Sequence, residues 1–78
     1  MPNPVNTTTE IAFYLPQAEE VSLDYYNVRG QKMGQLKKGS FPKGWHFASV
    51  DGKTIPAGVY IYSLKAGKYT KSLKMLKL

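Results

Sequence analysis

The chain has 78 residues, which allows one domain. It has no cysteine, so disulfides and thiolate metal sites are excluded, while 42% hydrophobic and 13% aromatic residues exclude the composition of a disordered segment. The net charge of +6 is unevenly spread: residues 1–28 hold Glu10, Glu19, Glu20 and Asp24 with no Lys or Arg, and residues 29–78 hold all 11 basic residues with only Asp51 as an acid.

A domain of this size buries only roughly 60% of its unfolded surface, which predicts modest stability. The charge split is compatible with an anionic partner, but acidic early strands solvated beside basic late ones are the favoured reading. No apolar run approaches the ~18–20 residues needed to span a membrane, and Met1-Pro-Asn-Pro4 has neither the basic start nor the apolar stretch of a signal peptide. Either the protein stays in the cytoplasm or it is a fragment of a longer chain; Pro-Asn-Pro followed by Asn6-Thr-Thr-Thr9 has the composition of a linker entering a domain, which favours the fragment.

The elements are all extended. Ile11, Phe13 and Leu15 alternate with Ala12 and Tyr14, and Pro16 stops the run. Pro16–Glu20 reads as a short hairpin-type connection. Val21, Leu23 and Tyr25 then alternate with Ser22, Asp24 and Tyr26, and Asn27-Val-Arg-Gly30 supplies a turn. Lys32–Lys37 is a weaker strand with Met33 and Leu36 inward, and their spacing of three implies a bulge near Gly34. Lys38–Gly44 reads as a loop. Trp45–Val50 is a strand with Trp45 and Phe47 on one face and His46, Ala48 and Val50 on the other. Asp51-Gly52 and Ile55–Gly58 punctuate the next loop.

Val59–Lys65 is a strong strand, Ala66-Gly67 a tight turn, and Lys68–Leu76 its partner. In that last strand Leu73 and Met75 fit an inward face, but Lys71 shares their parity. Either an open sandwich margin or a bulge would resolve this. Six strands are clear and Pro4–Thr8 could add a seventh. The predicted fold is an all-β, immunoglobulin-like antiparallel β-sandwich of six or seven strands.

Catalysis is not indicated. His46 is the one histidine, and Glu19-Glu20 are adjacent rather than flanking a cleft. No cofactor or metal constellation is spaced along the chain. Tyr14, Tyr25, Tyr26, Trp45, Tyr60, Tyr62 and Tyr69 could stack on sugars or bases, but Tyr also suits half-buried strand positions and supplies bulk to a small core. Arg29 is the only arginine, which argues against a nucleic-acid partner because phosphate forks prefer Arg.

Five blocks resemble one family in order. Pro2-Asn3-Pro4-Val-Asn6, with Thr9 and Ile11–Leu15, is similar to the opening of the type A C-terminal sorting domains of the type IX secretion system in Bacteroidetes. Val21-x-Leu23-x-Tyr25-Tyr-Asn27-x-x-Gly30-Gln31 resembles their second block. Gly44-x-His46 and Asp51-Gly52 resemble the next, with Val50 where the family usually has Trp. Gly58-Val59-Tyr60-x-Tyr62-x-Leu64 resembles G-V-Y-x-Y-x-L, and Lys71, Lys74 and Met75 fit the final basic strand. The pattern is also similar to the immunoglobulin-like domain of flagellar hook-capping proteins.

The resemblance implies a single sorting-type domain over residues 1–78 that is not an enzyme and takes no cofactor. It implies a C-terminal signal directing a cargo, covalently attached on its N-terminal side, across the outer membrane. The domain itself would not span the membrane. The implied partners are the outer-membrane secretion machinery and a sortase-like peptidase. The implied route is the periplasm in transit, then the cell surface or medium. By position, Gly58, Val59, Tyr60, Lys71, Lys74 and Lys77 match the segment that the machinery reads. Pro2, Asn3, Pro4, Asn27, Gly30, Asp51 and Gly52 are motif and turn residues. The rival expectation is a structural immunoglobulin-like accessory module of a secreted hydrolase that contacts carbohydrate through its aromatics. A small basic nucleic-acid-binding sandwich ranks below both.

Overall fold

In the computed structural model of the chain, residues 8–77 are described. Six strands follow in order: β1 (Thr8–Leu15), β2 (Glu19–Asn27), β3 (Lys32–Phe41), β4 (Gly44–Asp51), β5 (Gly58–Ala66) and β6 (Tyr69–Lys77). One turn of 3-10 helix, Gly52–Thr54, separates β4 from β5. The strands form two antiparallel sheets, one of two strands in the order β1-β4 and one of four in the order β3-β2-β5-β6. This is the expected antiparallel sandwich, consistent with an immunoglobulin-like fold. The suggested seventh strand lies, apart from Thr8, outside the described residues.

Period-2 patterning decides which side chains meet between the sheets. From the small sheet come Phe13, Leu15, Ala48 and Val50; from the large one come Val21, Leu23, Tyr60, Tyr62 and Ala66; Ile55 closes one end. Leu15 and Leu23 are the most completely enclosed, each 2% exposed. Val50 is buried where the resembling family carries Trp, and Trp45 points outward instead. Its indole packs edge-on against Tyr14 at 5.4 Å between ring centroids.

Pro16–Glu20 is not a hairpin. β1 pairs with β4 along its whole length, from Thr8 opposite Asp51 to Leu15 opposite Gly44, so the connection carries the chain from one sheet to the other. Proline and polar residues signal a reversal but do not specify the pairing partner. The Asn27 turn is as expected. Gly30 has φ 84°, and Asn27 Oδ1 accepts from the backbone N–H groups of Arg29 (2.9 Å) and Gln31 (3.0 Å).

β3 departs from expectation in two ways. It runs on through Lys38–Phe41, and only Pro42 and Lys43 separate it from β4. Met33 is exposed, while Leu36 packs against the core. Both are the extra residues of register shifts: the pairing steps from Lys37 to Gln35 and from Gly34 to Lys32. Two bulges therefore flank Gly34, which lies opposite Tyr25. A Cβ at Gly34 would stand 2.8 Å from Tyr25 Cε1, so the ring needs a glycine beneath it.

The exposed face of the large sheet carries one buried charge. Asp24, on central strand β2, accepts from Gln35 Nε2 at 2.8 Å and lies 3.4 Å from Lys32 Nζ. The two β3 residues compensate a carboxylate that would otherwise be costly to bury.

Leu23→Ala should lower the unfolding free energy by about 2–5 kcal/mol, the usual range for an enclosed leucine. Trp45→Ala, at a site 64% exposed, should cost far less. Urea denaturation of the two variants checks the inside–outside assignment; equal losses would contradict it.

Candidate functional site: the terminal hairpin

β5 and β6 pair without interruption from Gly58 opposite Lys77 to Ala66 opposite Tyr69. No bulge resets the last strand, so the open margin is the correct alternative for Lys71. Directly opposed residues share a face. Gly58, Tyr60, Tyr62, Leu64 and Ala66 thus share the inner face with Lys77, Met75, Leu73, Lys71 and Tyr69. Ile61 opposes Lys74 on the outer face, with Val59 opposing Leu76.

The register brings together part of the predicted site. Gly58, Val59 and Tyr60 lie directly across from Lys77, Leu76 and Met75. Lys74 is one step further along and on the other face. Lys71 is separate, opposite Leu64 near the far end of the hairpin. The lysines therefore do not form one ladder: Lys71 and Lys77 share the inner face, and Lys74 faces outward. Lys71 and Lys74 are exposed, while Lys77 is half-buried.

Gly58 and Tyr60 have structural duties at this site. Gly58 has φ 150°, a conformation that side chains other than glycine's rarely adopt. Tyr60 is buried, and its hydroxyl donates to the Pro56 carbonyl at 2.5 Å, tying the loop before β5 to the core. Its ring lies within the core. Val59 is half-buried on the outer face.

Tyr62 lies at the middle of the hairpin, opposite Leu73. Its hydroxyl donates to Met75 Sδ at 3.0 Å, and its ring lies 5.9 Å from that of Tyr25. Burial, followed by the neighbouring Tyr25 and Tyr60 phenols, pushes its pKa up from 10.0 to about 12.

The other motif residues serve the scaffold. Asp51 Oδ1 accepts from the Lys53 backbone N–H at 2.9 Å and caps the 3-10 turn, which is the turn chemistry expected of Asp51-Gly52. His46 Nε2 donates to the Pro42 carbonyl at 2.7 Å, and its ring packs between those of Phe13 and Phe41. Among the described residues, no group of three or more His, Cys, Asp or Glu could hold a metal. Pro2, Asn3 and Pro4 lie outside the described residues.

The exposure of two residues at the hairpin was not read from the sequence. Tyr69 and Leu73, on the inner face beside Lys71, are 56% and 48% exposed, so this face of β6 is left uncovered. Their shared parity with Lys71 was the available signal.

The described residues form a small antiparallel sandwich whose last strand is a basic edge of the larger sheet. The model of the secretion system C-terminal sorting domain family matches residues 1–77, and the chain belongs to that family. No curated protein and no solved structure matches it. The family is that of type IX sorting signals, which implies engagement with the secretion machinery, a cargo on the N-terminal side and export toward the cell surface. No helix among the described residues is long and apolar enough to cross a membrane.

Raising the folded-state pKa of Tyr62 has a definite sign. The resulting stability is fully present below pH 10 and is lost as pH rises through about 12. Tyr62→Phe should flatten the fall in stability between pH 10 and pH 12, measured by urea midpoints at each pH. An unchanged slope would exclude Tyr62 as the titrating group.

Proposed function

We propose that this chain is a non-catalytic signal that directs a cargo protein through the type IX system across the outer membrane. In this reading the machinery engages the β5–β6 hairpin at Gly58, Val59, Tyr60, Lys71, Lys74 and Lys77. A sortase-like peptidase then removes the domain, and the cargo stays at the surface or enters the medium. The family match over residues 1–77 carries the reading. The hairpin supports it physically: β6 is an edge of the four-stranded sheet, and a sheet edge offers main-chain donors and acceptors to a partner strand. Lysines along such an edge discourage pairing between copies and leave it open to an acidic partner. Gly58 and Tyr60 contribute by shaping the entry to β5, and Lys71 and Lys74 by presenting charge.

A second reading has one observation in its favour. Tyr14, Trp45 and Phe47 are 47%, 64% and 52% exposed on the outer face of the small sheet, an aromatic strip of the kind that stacks on sugars. An accessory module that touches carbohydrate would use it.

A reporter fused to the N-terminal side of the chain, expressed in a type IX-competent host, should reach the cell surface or the medium. Retention in the periplasm, while an established signal exports the same reporter, would sink the sorting reading. Retention of the chain on insoluble polysaccharide, abolished by Trp45→Ala, would favour the second.

A further inference from the structure

The two sheets differ in width, and the difference leaves an open side. A groove of about 330 Å³ runs along it, floored by Leu23, Tyr62 and Leu64 of the large sheet. The two strands that border it contribute differently. From β6 come alternate residues, Tyr69, Lys71 and Leu73, so this strand presents its inner face. From β1 come four consecutive residues, Ile11 to Tyr14, so that strand presents its edge. Among the described residues β1 pairs only with β4, which leaves that edge without a strand partner.

We propose that this open side accepts an extended segment of a partner protein. The segment adds to the free edge of β1 as a third strand of the small sheet and lies over the inner face of β6. Alternate side chains of the incoming strand would point into the groove. They meet Tyr69, Lys71 and Leu73 in turn, so the matching inward pattern is apolar, acidic, apolar at positions i, i+2 and i+4. The deduction rests on the sorting reading, and it names the chemistry of the segment that the last strand engages.

Charge decides between occupants. Among the described residues Lys71 is the one charged residue that lines the groove, so the groove wall selects for a carboxylate. Residues 1–7 of the chain carry no carboxylate. A second copy offers its own β1 edge, but Phe13 and Leu15 of that strand are already buried in its own core. A separate segment with one acid between apolar residues fits better than either.

The test uses the 78-residue chain labelled with ¹⁵N and a capped peptide, Val-Thr-Val-Thr-Glu-Thr-Val-Thr-Val, whose Glu faces inward with the valines. The peptide should slow hydrogen exchange at β1 amides and shift the resonances of Tyr69 and Leu73. Lys71→Glu is at an exposed site and should weaken binding about tenfold, because attraction becomes like-charge contact. A peptide with Lys in place of the Glu should recover the loss on that variant. Equal affinity for a peptide with its Glu moved by one position would overturn the proposal. So would protection confined to the outer face, binding seen only after residues 1–7 are removed, or β1 protection that rises with chain concentration alone. The two readings fail separately. If the Lys71→Glu chain loses the peptide yet exports its reporter normally, the groove is overturned as the engaged site and sorting stands. If the unaltered chain binds the peptide as described but its reporter stays in the periplasm, sorting fails and the groove stands.

Discussion

Two strands cannot cover four. With neighbouring strands about 4.8 Å apart, the β1-β4 sheet is about half as wide as the sheet it packs on. Coverage goes to the middle of the large sheet, and the residues beneath it are the buried ones: Val21 and Leu23 of β2 and Tyr60, Tyr62 and Ala66 of β5. The flanking strands β3 and β6 keep partly open inner faces. Leu73 is exposed for this reason rather than for any lack of hydrophobicity.

A core this narrow depends on tyrosine. Phenol rings supply large apolar area, and their hydroxyls can reach polar atoms at the margin of the sandwich. Tyr60 reaches a backbone carbonyl and Tyr62 a thioether, so neither hydroxyl is stranded. Tyr25 adds a third ring, 6.3 Å from Tyr60 and 5.9 Å from Tyr62, and this is the ring that requires Gly34. Bulges on either side of Gly34 adjust β3 to that ring. The same aromatic packing that makes the core thus explains the irregular strand beside it.

Much of this was legible in the sequence because alternation reports burial directly. Phe13, Leu15, Val21, Leu23, Tyr60 and Tyr62 are inward as their parity requires. Sheet membership was not legible. The Pro16–Glu20 segment has the composition of a reversal, and a reversal within a sheet and a crossing between sheets use the same residues. The Lys38–Phe41 stretch, rich in Gly, Ser and Lys, resembled a loop because its local propensity is weak; pairing with Glu19–Ser22 of β2 extends it. At the hairpin the family motif named a set of lysines, and the unbroken register divides them between two faces. The exposure of Tyr69 and Leu73 depends on the width of the opposite sheet, of which their parity with Lys71 is the one local sign.

β6 joins the sheet through its ladder with β5 and contributes no residue to the enclosed core; only Met75 packs against it. Main-chain hydrogen bonds at an edge hold a strand with far less free energy than buried side chains do. Stability in this domain therefore falls off toward the end of the chain. The final strand can open locally while Leu15, Leu23 and the tyrosines stay packed. A partner that works at this edge competes against the weakest part of the fold and leaves its strongest part intact.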